Sequence, residues 1–151
     1  MKKFRFSLQS VHDLRLNRRE QAERALADKD REVQEAAARL ADLENKRAAA
    51  MRAYADLMRM TDAPDAQEIA LRADYIALLE RRENDARQRL AQLERERDGL
   101  RQKVIEAARE AETTEKLREH QYAQYVRETL RLEQKLLDEL AMLRVARRMT
   151  Q

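Results

Sequence analysis

The chain contains no cysteine and no tryptophan, and its 151 residues include only one glycine, one proline and two phenylalanines. Without cysteine there is no disulfide framework, no thiolate nucleophile and no cysteine-ligated metal. A single glycine excludes the glycine-rich loop that cradles nucleotide phosphates. No apolar run approaches the roughly 20 residues of a membrane span, and the Lys2-Lys3 start lacks the apolar block of a signal peptide. The default expectation is a cytoplasmic protein. Charge of one sign is also lacking: 32 basic and 29 acidic side chains leave a formal net charge of +3. A nucleic-acid binder gathers positive charge on one face, whereas here the signs alternate along most of the chain, so no nucleic-acid partner is expected.

What remains is a helix-forming composition. Ala, Leu, Glu, Arg and Gln dominate, 40% of residues are charged, and the mean hydropathy is -0.90. Such polarity also suits disorder. The spacing of the 43% apolar residues decides against it. Leu26, Val33, Leu40, Arg47 and Tyr54 recur at heptad spacing, interleaved with Lys29, Ala36, Leu43, Ala50 and Leu57. A second region repeats the pattern, with Ile76, Glu83, Leu90, Arg97, Val104 and Ala111 in one column and Leu79, Ala86, Leu93, Leu100 and Ala107 in the other. Gly99 lies off both columns, as a surface glycine would. Two deviations are expected. Leu8, Val11, Leu14, Arg18 and Ala22 fit only with a change of phase, and beyond Thr114 the stripe shifts by four, onto Tyr122, Tyr125, Thr129, Leu132, Leu136 and Leu143.

The two patterned regions are divided at Thr61-Asp62-Ala63-Pro64-Asp65. Proline fits the first turn of a helix but not its interior. Asp62 is the expected N-cap there, with Asp65 as its capping-box partner, and Ser7 caps the first helix with Phe6 and Val11 as a hydrophobic staple. The predicted fold is all-α: a single domain, 1–151, in which helix 1 (about 8–60) and helix 2 (about 66–148) form an antiparallel coiled-coil hairpin turning at 61–65. Folding at Pro64 pairs Leu57 with the region of Leu71, Leu40 with Leu90, Leu26 with Val104, Val11 with Leu117 and Phe4 with Tyr125. Arg18, Lys29 and Arg47 would interrupt the seam, their stems along it and their charges in water.

Helix 2 then outruns helix 1. Past Tyr125 no intrachain partner remains, yet Leu132, Leu136, Leu140 and Leu143 continue an apolar stripe that Leu137 and Met142 widen. An uncovered stripe requires a partner or self-association. Basic residues gather at the same end, as Arg15, Arg18, Arg19 and as Arg144, Arg147, Arg148, while Asp62, Asp65 and Glu68 mark the tip. Catalysis finds no foothold. His12 and His120, near Asp13 and Glu119, come together at the open end, but a metal site needs a cavity, and the simpler reading is two solvent-facing side chains.

Several motifs resemble the FliJ family of bacterial flagellar type III export proteins. Phe4-Arg5-Phe6-Ser7-Leu8 is similar to the family's opening element, although His12 stands where a leucine is more usual. Glu115-Lys116-Leu117, Tyr125, Glu133-Gln134-Lys135 and Asp138-Glu139-Leu140-Ala141 match its later elements in order and approximate spacing. The resemblance implies a noncatalytic stalk without a cofactor, peripheral on the cytoplasmic side of the cell membrane. Its partners would be the hexameric export ATPase, whose ring the open end enters, the export gate at the membrane, and export chaperones. By that analogy Leu8, Val11, Leu132, Leu136, Leu140 and Arg144 face the ring, Glu133, Gln134, Asp138 and Glu139 add polar contacts, and Tyr125 and Leu143 extend the surface. A virulence-type secretion stalk and a generic coiled-coil scaffold are the alternatives.

Overall fold

The structure, a computed structural model, describes residues 3–60 and 62–149, the side chains of Arg148 and Met149 excepted. Lys2 of the basic arm, Thr61 of the turn and the Arg148 side chain, all named above, lie outside that description. The chain is all-α, with two long helices, α1 (Gln9–Met60) and α2 (Ala66–Met149), that pack against each other. They contribute to two compact units: unit 1 comprises Met1–Glu20 with Ile105–Gln151, and unit 2 is Gln21–Val104.

Local chemistry sets the helix starts, and it differs from the expected caps. The first α1 carbonyl is that of Leu8, which accepts from His12 N at 2.9 Å, so α1 begins one residue later than a Ser7 cap requires. At α2 the cap is Asp65. Its carboxylate accepts the Gln67 amide at 3.0 Å and its carbonyl accepts that of Ile69 at 3.0 Å. Pro64 therefore precedes the cap instead of opening the helix, and Asp62 lies outside it. An Asp side chain adjacent to the first free N–H groups is the stronger cap, because Asp62 is three residues farther from them.

Unit 2 is the regular coiled coil. Antiparallel pairing is read directly from its ion pairs: Lys29 with Glu96 at 3.0 Å, Arg47 with Glu83 at 2.8 Å and Arg87 with Glu44 at 3.0 Å. Val33, Leu79 and Leu93 are buried at the seam, and the heptad columns predicted from sequence supply the half-buried positions between them. Leu71 is an exception at 71% exposure, with Ile69, Arg72 and Ile76 turned further inward. Leu71 itself lies off the heptad columns, which in the region expected to face Leu57 pass through Ile69 and Arg72.

Unit 1 corrects both expected phase changes. The buried or half-buried α1 positions in unit 1 are His12 and Arg15, which keep the heptad phase of the unit 2 columns although Arg19 on one of them is exposed, while Val11, Leu14 and Arg18 are exposed. The predicted Val11–Leu117 pairing fails accordingly, since Leu117 is exposed too. On α2, Ala111 and Thr114 are buried, and Gln121 and Tyr125 still follow the original columns. Tyr122 is 53% exposed, so the expected shift does not occur at Thr114 itself. Farther on, half-buried Val126 and Thr129 depart from that spacing.

Candidate functional site

All twelve sequence-predicted surface residues fall in unit 1, which is built from the first turns of α1 and the C-terminal half of α2. Its N-terminal arm is held by aromatic packing. The Phe4 ring meets Tyr122 edge-on at 5.2 Å and Tyr125 at 5.6 Å between centroids, while Phe6 is buried and lies edge-on to His12 at 6.5 Å. The predicted Phe4–Tyr125 neighbourhood is therefore present.

His12 is the residue that sequence reasoning placed wrongly. It is 2% exposed, with Nδ1 at 2.9 Å from Thr114 Oγ1 and Nε2 at 2.8 Å from Glu115 Oε2. The signal was available, since His12 continues the α1 column of Leu26 and Leu40, and a polar side chain there needs polar partners opposite. His120 is exposed and contacts Gln124, so the two histidines do not converge on one site. Asp13 is engaged by the Gln9 amide at 2.9 Å. The chain carries no catalytic motif, and among the described residues no group of three or more His, Asp or Glu side chains could hold a metal. Nor is any helix among them long and apolar enough to cross a membrane.

Beyond Thr129 the character of α2 changes: every described side chain from Leu130 to Arg147 is exposed. Leu132, Leu136, Leu140 and Leu143 are 54–59% exposed, and Leu130, Leu137, Met142 and Val145 are 57–73% exposed. Tyr125, Leu132, Glu133, Leu136 and Glu139 line one shallow groove, joined by Thr129 of the predicted stripe and by Glu128 and Lys135, which the sequence reading left out. Heptad spacing alone would have found Glu128 and Lys135 as flanks of that stripe. Gln134 and Asp138 pair with each other at 2.9 Å. At about 100° per residue they lie on a different side of α2 from Leu132 and Leu136. Arg144 is exposed past the groove, and Leu8 and Val11 are exposed on α1. The arrangement is an apolar face edged by carboxylates, suited to covering by a protein surface and without a pocket for chemistry.

Comparison with known proteins gives one family: a model described as Flagellar FliJ protein matches residues 4–150. No curated protein and no solved structure gives a match.

Proposed function

The chain belongs to the FliJ family, and from that premise we propose that it is a noncatalytic stalk whose α2 overhang docks into or against the ring of a flagellar export ATPase. The observation that supports this reading is the uncovered face of Leu132, Leu136, Leu140 and Leu143. Apolar area of this kind, continuous over several turns and edged by Glu133 and Glu139, is the surface that a ring-shaped collar would bury. Leu8 and Val11 add exposed apolar area on α1. Arg144 and Arg147 orient the approach to an acidic collar. In the same reading the protein works at the cytoplasmic side of the cell membrane, linking the ATPase to the export gate and serving export chaperones.

Leu136→Asp tests the proposal. It places a charge in the proposed interface, at a cost of roughly 3 kcal/mol or more if the site is buried and unpaired. The expected result is normal helicity with lost stimulation of the purified export ATPase. Binding and stimulation at wild-type level would remove the overhang from the mechanism. Leu40→Asp is the control, because it should weaken the seam of unit 2 itself.

The same face favours a second reading, a scaffold that self-associates through the overhang. Sedimentation equilibrium separates the two. A stalk is mainly monomeric at micromolar concentration, whereas a scaffold would form a dimer with Kd of about 1 nM or tighter, equivalent to roughly 12 kcal/mol.

A further inference from the structure

Glu83 is 2% exposed, the only acidic side chain in the heptad columns of unit 2, and it sits beside the equally buried Leu79. Two arginines neutralise it. Arg47 reaches across from α1, with Nε 2.8 Å from Glu83 Oε2, and Arg87 approaches Oε1 from the next turn of α2. Each arginine also has a second carboxylate: Arg47 lies 3.6 Å from Glu80, and Arg87 lies 3.0 Å from Glu44 on α1. The charges therefore alternate through five side chains and cross between the helices three times. The Arg47–Glu83 contact is ionic without hydrogen-bond alignment, both Glu83 oxygens lacking a well-aligned donor.

A buried ion pair of this kind is a poor source of net stability, because desolvating both charges offsets most of their attraction. Its effect lies in what it forbids. Elsewhere the unit 2 columns are largely Leu, Ala, Val and Ile, which would pack nearly as well after a slip of one heptad. After such a slip Glu83 would face Leu40 or Tyr54, and Arg47 would face Ile76 or Leu90. A fully buried carboxylate would then be left without its cross-helix partner, which is the costly outcome.

We propose that Glu83 and Arg47 lock the register of α1 against α2 in unit 2, selecting one alignment over slipped ones at little gain in stability. The lock belongs to unit 2 and does not depend on what the overhang binds.

The absence of cysteine makes a clean test available. Arg39 and Arg89 are exposed and line one surface cleft between the helices, so Arg39→Cys and Arg89→Cys give two spin labels that report the alignment. With Glu83 and Arg47 intact, a single short distance is expected. In the Arg47→Leu, Glu83→Leu double variant, helicity and melting temperature should be retained or raised. A second, longer distance should then appear, from an axial displacement of roughly 10 Å per heptad. A single unchanged distance in that variant would overturn the lock. Loss of helicity would overturn it too, since the pair would then supply stability and not register. A Glu83→Leu single variant completes the set. It leaves Arg47 in the seam, and it should be less stable than the double variant if the two residues act as a pair.

Discussion

Thr114 Oγ1 stands 2.9 Å from His12 Nδ1, a contact from α2 to α1 in unit 1 made between two buried side chains. The threonine hydroxyl also lies 2.9 Å from the Ala111 carbonyl. On its other nitrogen His12 faces the Glu115 carboxylate, which accepts from Nε2–H, and Thr114 Oγ1 is the hydrogen-bond partner of Nδ1. Thr114→Val should keep the volume and leave Nδ1 without its partner, costing about 1–3 kcal/mol. His12→Leu with Thr114→Val removes both partners and should be within about 1 kcal/mol of wild type. Denaturant unfolding with hydrogen exchange at residues 9–20 reads both. Equal stability of the Thr114→Val single variant would show that the contact contributes nothing.

The exchange of His12 for Val11 at the seam shows where pattern reading fails. Apolar identity drew the predicted stripe through Leu8, Val11 and Leu14, and the structure keeps the phase that the longer unit 2 columns impose. Cooperativity explains it. A continuous helix cannot change face without a local unwinding, so many consistent heptads outweigh three leucine-like residues at one end, provided the intruding polar group finds partners. Glu115 and Thr114 supply those partners. The α2 cap was missed differently. Asp62 and Asp65 are equally good cap residues, and only the backbone path around Pro64 chooses between them. By contrast, the long helices and the uncovered Leu132–Leu143 stripe were legible, because heptad spacing and relative length fix both without any long-range information.

Lys29 links the helices of unit 2 through Glu96 and also holds Glu32, each at 3.0 Å. Its hydrogen bonds to Glu32 and then Glu96 raise it above the ordinary lysine range, and the bond from Lys29 holds Glu96 below the ordinary carboxylate range. The raised lysine contributes stability below its ordinary value and loses it as pH climbs through the raised one. The lowered Glu96 contributes above its ordinary value and loses it as pH falls through the lowered one. The link is thus intact across the neutral range. Lys29→Met should flatten part of the acid limb of a stability–pH curve while leaving its neutral slope alone. An acid limb identical to that of wild type would mean that Lys29 does not interact with Glu96 in solution.

Gly99 lies within α2 with no positive φ, and a Cβ built there meets nothing within 4 Å. Nothing in the local geometry requires glycine. Gly99→Ala should raise stability by up to about 1 kcal/mol, through helix propensity and a less flexible unfolded chain. Thermal unfolding checks the sign. If the variant is more stable yet lacks the stimulation of an export ATPase proposed for the wild type, Gly99 is a hinge rather than a neutral surface residue.

Leu79 and Leu136 are chemically identical and lie on the same helix, yet one is 2% exposed and the other 59% exposed. Truncating Leu79 to Ala opens a cavity in the tightest part of the unit 2 seam and should cost about 2–5 kcal/mol. Leu136→Ala removes atoms that already face water, so the isolated chain should lose no more than about 0.5 kcal/mol. The two changes should also respond differently to protein concentration. If Leu136→Ala proves strongly destabilising, and more so as concentration rises, then the overhang is covered by a second copy in solution and the scaffold reading gains. A small and concentration-independent effect leaves that face open for a partner, where the same substitution should weaken docking while Leu79→Ala, assayed below its unfolding transition, should not.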